Sequence, residues 1–241
     1  MKQLHVWMTK EEIVPERLEG AVAVVMDVLL ATTTMVTMVE RGAGRVFPVA
    51  SMEEARRLRQ QLDSPRLLTG GEQDGVKVAE FDYGPFPDEF TPEVVADKDI
   101  IFLTTNGTRA VRAAQSAGQL LLGCLRNAPI VSDYLKDCPY DDVYLICAGS
   151  RGRFSYEDFM CAGEIISRLD LTNVKLNDAA RFARDLGRQE RVVERLARGR
   201  VGEFFVHHQM HHVLEFVGDV GASTTLVEVR NGQLQKMEEA R

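Results

Sequence analysis

Short apolar, β-branched runs alternate along this chain with stretches of helical periodicity, and that alternation restricts the fold more than any other feature. Val22 to Val28 reads as a strand buried on both faces. Thr32 to Glu40 opens on hydroxyls suited to capping a helix and sets Met35, Val36 and Val39 on one side. Val46 to Val49 reads as a strand, and Ser51-Met-Glu-Glu54 is a capping box for a helix over Met52 to Leu62. Further strands are expected at Arg66 to Thr69, Ile100 to Thr104, Leu120 to Gly123 and Val143 to Cys147. Helices are expected over Thr108 to Ala117, Ala128 to Lys136, and from Ser155 to about Arg168.

Such β-α units predict an α/β fold, a three-layer α/β/α arrangement around a mostly parallel sheet. After Leu176 helices dominate: Asp178 to Leu186, Gln189 to Ala197 and Glu203 to Phe216. Thr224 to Val229 and Gln233 to Lys236, joined by Asn231-Gly232, read as a hairpin. The expectation is one domain over 1–241, with a motif-bearing core at about 20–170 and a C-terminal helical cover at about 171–241. Gly71 to Thr91 lacks a sustained period, and an irregular loop of that length is usually functional or mobile.

Composition narrows the partners. With 29 Lys+Arg against 36 Asp+Glu the net charge is −7, which disfavours nucleic acid and acidic membrane surfaces. The arginines between Arg181 and Arg200 alternate with Glu190 and Glu194 and read as a solvated helix face. Cys124, Cys138, Cys147 and Cys161 form no C-x-x-C pair, so reduced thiols are expected rather than zinc or disulfides. The first ten residues lack signal-peptide character, and no apolar run approaches the ~20 residues of a membrane span. A cytoplasmic location is expected, and the apolar residues of the C-terminal helices suggest a homodimer.

The polar residues gather where predicted strands end, which is where open α/β sheets bind ligands. Asp27 leaves a buried strand, and Thr32, Thr33 and Thr34 open the next helix, a suitable place for phosphate. Glu72 follows Gly70-Gly71 and is a plausible Mg²⁺ ligand. Thr104-Thr105-Asn106-Gly107-Thr108 gathers hydroxyls, an amide and free N–H groups at a second helix start. Arg151 and Arg153 could grip an anion, and Glu157-Asp158 could bind metal or a proton. The plainer readings are turn-bonding for Asp27, an exposed turn residue for Glu72, an Asn-Gly turn with a Thr cap, and a capping box between Ser155 and Asp158. His207, His208, His211 and His212 make two i,i+4 pairs but lack the Glu of H-E-x-x-H, so a polar helix face is the reading preferred. A D-x-D-x-T nucleophile motif is excluded, because Leu29 stands where the second Asp belongs.

The ordered set Asp27-Val-x-x-Ala-Thr-Thr-Thr34, Gly71-Glu72, Phe81-Asp82-x-Gly84, Thr104-Thr-Asn-Gly-Thr108, Cys147-Ala-Gly149 with Glu157-Asp158, and Cys161-Ala-Gly163 resembles the 2-phosphosulfolactate phosphatase family over about 20–170. The resemblance implies a Mg²⁺-dependent hydrolase that removes phosphate from 2-phospho-3-sulfolactate, a small anionic substrate, in a coenzyme M biosynthesis-type step. Carried onto this chain, it implies catalytic roles for Asp27, Glu72 and Asp158 and metal ligation by those three and Glu157. Thr32, Thr33, Thr34, Thr105, Asn106, Gly107 and Thr108 would cradle phosphate, and Arg151 and Arg153 would hold the carboxylate or sulfonate. A metal-bound water and a covalent Asp27 intermediate both stay open as the nucleophile. Two departures bear on the substrate. Leu30 stands where the family usually has Arg, with Arg109, Arg151 and Arg153 as the candidate replacements. Gly84-Pro85-Phe86-Pro87 replaces the usual Asn-Ser-Pro. The alternatives are another small phosphorylated hydroxy acid as substrate, or a silent relative that only binds an anion.

Overall fold

A computed structural model describes residues 1–62, 64–188 and 190–237. Its strands are β1 (Gln3–Trp7), β2 (Val22–Met26), β3 (Arg45–Val49), β4 (Leu67–Gln73), β5 (Val76–Lys77), β6 (Asp99–Leu103), β7 (Gln119–Gly123), β8 (Asp142–Cys147), β9 (Lys175–Leu176), β10 (Val227–Arg230) and β11 (Gln233–Lys236). The helices are α1 (Pro15–Leu18), α2 (Ala31–Glu40), α3 (Met52–Leu62), α4 (Pro92–Val95), α5 (Gly107–Ala113), α6 (Ala128–Asp137), α7 (Tyr156–Ile166), α8 (Asp178–Leu186), α9 (Val192–Leu196), α10 (Arg200–His207) and α11 (His211–Val217).

All the described strands join one mixed sheet, in the order β5-β4-β6-β3-β11-β10-β7-β2-β8-β1-β9. Two parallel half-sheets are visible in that order. One is β7-β2-β8-β1-β9 and the other β4-β6-β3. The hairpin β10–β11 stitches them together, antiparallel to β7 on one side and to β3 on the other. Asn231 and Gly232 both have positive φ, +52° and +75°, as a two-residue type I′ hairpin turn requires.

The sheet curls strongly. β2 and β6 are five strand steps apart, about 24 Å along a flat sheet. Yet Gly107, just past β6, approaches Asp27, just past β2, so closely that a Cβ on the glycine would lie 2.8 Å from Asp27 Oδ2. The ends of the two half-sheets therefore converge. Inside the curl, Ala23 and Val25 of β2 and Ile100 and Phe102 of β6 share one core with Met35, Val36 and Met38 of α2 and Ala110 and Val111 of α5. Outside it, Val22, Val24 and Met26 pack with α6 and α7, and Ile101 and Leu103 pack with Ala55 of α3. These are the three expected layers.

The C-terminal segment differs from the expected cover. Helices α8 to α11 do pack outside, but the hairpin enters the middle of the sheet, where Val227 and Leu234 are buried. At the other end β1 adds a strand beside β8; its Gln-Leu-His-Val-Trp sequence is too short and mixed to announce itself. β4 runs on through Gly70, Gly71 and Glu72, so Glu72 lies in the strand and not after it. Gly71 permits this: its φ is +128°, and a Cβ there would fall 1.8 Å from the Leu103 carbonyl oxygen. The 71–91 segment is fastened. Asp82 accepts from the N–H and hydroxyl of Thr69, both at 2.8 Å, and Arg41 donates to the carbonyls of Pro87 and Phe90. The expected helix start at Gln189 lies outside the described residues; the described helix nearby is α9.

Candidate active site

The convergence brings together the ends of β2, β8, β4 and β6. Asp27 follows β2 in a tight strand-to-helix turn. The Thr32 hydroxyl closes that turn, donating to the Asp27 carbonyl and accepting its N–H, each at 2.9 Å. The Asp27 carboxylate is thereby aimed at α5 and accepts from the N–H groups of Ala31 and Gly107. Burial, with the negative charges of Glu157 and Glu72 nearby, raises Asp27 from 3.8 to about 7.

Asp158 sits in the first turn of α7, whose N-cap is Ser155. Ser155 Oγ accepts from the Asp158 N–H at 3.3 Å, as a cap should. The Asp158 carboxylate reaches across to the sheet. Oδ1 accepts from the Val28 N–H at 2.8 Å and Oδ2 from the Gly149 N–H at 3.2 Å, so Asp158 ties together the chains leaving β2 and β8. Burial, then the charges of Asp27 and Glu157, holds it far above the usual carboxylate range. Burial also raises Glu157. Among the described residues no lysine or arginine forms an ion pair with Asp27, Glu157 or Asp158.

The other half-sheet presents a different surface. Glu72 accepts from the Thr105 N–H at 2.6 Å and hydroxyl at 2.8 Å, and from the Gly75 N–H at 2.6 Å. Thr104 and Thr108 close the turn into α5 through reciprocal bonds between hydroxyl and backbone. Asn106 Oδ1 accepts from Lys10 Nζ at 3.1 Å and from the Arg151 N–H at 3.2 Å, and the Arg151 guanidinium donates to the Asp74 carbonyl at 3.1 Å. These bonds cross the seam between the half-sheets.

Asp27, Glu72, Glu157, Asp158 and the 104–108 turn thus meet in one place. The hydroxyls of the 32–34 run do not point into it. All three are fully buried, donating to the carbonyls of Asp27, Val28 and Pro85. Arg153 pairs with Ser150 through its backbone only, and Arg109 reaches the Ala50 carbonyl at 3.4 Å. Cys147 is buried and its thiol is pushed up by burial, which leaves no nucleophilic thiolate. Leu30 packs in the core. The four histidines fall on both sides of a break between α10 and α11, so the i,i+4 geometry does not form; His212 instead lies 3.6 Å from Asp88. Sequence reasoning missed Lys10, whose neighbours in sequence carry no motif. Two cavities of about 530 Å³ lie elsewhere, one beside Arg168 and Arg191 and one beside Gln119 and Arg230. The converged strand ends, not cavity size, mark the candidate site.

The donor set fits the implied Mg²⁺. No three His, Cys, Asp or Glu side chains gather into a cage among the described residues. Mg²⁺ needs no such cage, since it takes one or two carboxylates and completes its shell with water and phosphate oxygens. Asp27 and Glu157, buried like charges without an ion-paired cation, match that requirement.

Comparison with known proteins identifies the family. A family model described as 2-phosphosulpholactate phosphatase matches residues 7–232. A protein of Symbiobacterium thermophilum is 37% identical over 92% of this chain and 97% of its own length. One of Clostridium perfringens strain SM101 is 32% identical over 98% of this chain and 97% of its own. A third, from Caldanaerobacter subterraneus, is 38% identical over 74% of each chain. Each carries the name "Probable 2-phosphosulfolactate phosphatase".

Proposed function

The chain belongs to the 2-phosphosulfolactate phosphatase family and is a hydrolase of phosphoric monoesters; from that premise we propose that it converts 2-phospho-3-sulfolactate to 3-sulfolactate and phosphate, with Mg²⁺ as cofactor. The reaction would serve a coenzyme M-type route in the cytoplasm. The observation that carries the reading is the raised Asp27 carboxyl at the seam of the two half-sheets.

Asp27 and Glu157 would hold Mg²⁺, with Glu72 across the seam. Bound there, Mg²⁺ supplies Lewis-acid stabilisation of charge developing on the phosphoryl oxygens. The remaining work falls to the chain. In the metal-free protein burial and neighbouring charge keep a proton on the Asp27 carboxyl, and a cation bound there would replace that proton and be held by the ionised carboxylate. The N–H groups of Ala31 and Gly107 fix its orientation. Asp158 holds the β2 and β8 loops at their separation, and Glu72 holds Thr105 and the turn opening α5. The Thr32, Thr33 and Thr34 hydroxyls shape the Asp27 turn from behind it.

The test is phosphate release from 2-phospho-3-sulfolactate with Mg²⁺ and with chelator, beside a panel of phosphorylated hydroxy acids. Turnover that requires Mg²⁺ and is fastest on the sulfonate supports the proposal. Faster turnover without the sulfonate assigns another phosphorylated acid, and binding of sulfolactate without any hydrolysis assigns a silent relative.

A further inference from the structure

The substrate class named above is unusually rich in charge. Beyond its phosphoryl group it carries a carboxylate and a sulfonate. The protein groups at the seam are mainly carboxylates, so the non-reacting end of such a molecule needs a cation of its own. Among the described residues the Arg153 side chain has no hydrogen bond or ion pair, Arg109 is engaged at Ala50, and the Arg151 guanidinium is engaged at Asp74 in an exposed loop.

Lys10 stands apart from these. It opens the turn that follows β1, and its N–H donates to the Ala148 carbonyl at the end of β8. Its side chain is only 14% exposed, and Nζ reaches Asn106 Oδ1 at 3.1 Å and Glu11 Oε1 at 2.9 Å. Asn106 directly precedes Gly107, whose N–H is bonded to the Asp27 carboxylate. One peptide unit therefore separates the ammonium's partner from the reacting centre. Two donors, Lys10 Nζ and the Arg151 N–H, both claim Asn106 Oδ1, which fixes the amide so that its NH₂ is turned away from them. The largely buried ammonium is thus held against Asn106 at the seam.

We propose that Lys10 binds the non-transferred anionic end of the substrate, its sulfonate or carboxylate, and that Asn106 orients it for this. The proposal rests on the phosphatase reading and deepens it. An ammonium suits the task as a compact charge on a flexible stem, able to exchange Asn106 Oδ1 and the half-exposed Glu11 carboxylate for an anionic oxygen.

The experiment compares wild type with Lys10→Ala, Lys10→Gln and Lys10→Arg on 2-phospho-3-sulfolactate and on 2-phospholactate, which lacks the sulfonate. Loss of a charge-assisted bond predicts a rise in KM of about 10- to 100-fold in Lys10→Ala and Lys10→Gln, with kcat little changed and most of the loss recovered in Lys10→Arg. A loss confined to the sulfonate substrate assigns Lys10 to the sulfonate; an equal loss on both assigns it to the carboxylate. An unchanged KM in Lys10→Gln, or a fall in kcat at constant KM, overturns the proposal. Calorimetry with 3-sulfolactate separates this from the phosphatase reading. If wild type turns over neither compound, that reading fails, and Lys10 is judged on binding alone. Weaker binding in Lys10→Gln then upholds its role, while equal binding, or none to either protein, overturns it.

Discussion

The two half-sheets that meet at the seam bring opposite kinds of carboxylate to it. Glu72, on the β4 side, has its oxygens engaged by two N–H groups and a hydroxyl. Asp27, on the β2 side, is buried beside Glu157 and Asp158 with no ion-paired cation among the described residues. The first arrangement is a satisfied hydrogen-bond node that positions a loop. The second is a concentration of like charge that must be relieved by protons or by a cation. Structural carboxylates and reactive ones can share a crevice, and the difference lies in what compensates the charge. Asp158 combines the two, since it is buried among like charges and its two oxygens tie together the chains leaving β2 and β8.

The largest expected effect falls on the reactive side. Asp27→Asn keeps the shape but removes the proton and the charge, and a phosphate-release assay should show kcat lower by about 10²- to 10⁴-fold. Glu72→Gln, which keeps most of the bonds on the other side, should lose much less; equal losses would erase the distinction. Next is stability. Asp158→Ala leaves the buried Val28 and Gly149 N–H groups without their acceptor, at roughly 1–3 kcal/mol each. Denaturant unfolding should show that loss. Gly107→Ala pushes the half-sheet ends apart, because its Cβ would lie 2.4 Å from that of Ala31. It should cost about 1–3 kcal/mol and lower turnover as Asp27 shifts.

On the Asp27 side, a pH dependence of stability is expected of the metal-free protein. Asp27 titrates at about 7 when folded against 3.8 ordinarily, so the folded state keeps a proton that the unfolded chain gives up. That contribution is fully present below about pH 4 and is lost as pH rises through 7. The melting temperature should therefore fall, by on the order of ten degrees, across this window, and the slope should flatten in Asp27→Asn.

Much of this was legible in the sequence. The buried run before Asp27, the helix after it and the 104–108 turn all announce themselves, because local turn chemistry and apolar periodicity act over a few residues, although Leu30 and not a threonine stands at the N-cap of α2 and no side chain caps it. The curl that brings β2 and β6 together was not, since it depends on a hairpin from the far C-terminus entering mid-sheet. For the same reason Lys10 was invisible: only the pairing of β1 with β8 carries it to Asn106. The three threonines were legible as residues but not in role. Composition cannot say whether a hydroxyl faces a ligand or the backbone behind it.

Burial and neighbouring charge hold the proton on the Asp27 carboxyl. Carboxyl ¹³C NMR titration of Asp27 in the metal-free protein tests this directly. A midpoint of about 7, moving down in Glu157→Gln, is the predicted result. A midpoint near the ordinary 3.8, unmoved by that substitution, would contradict it.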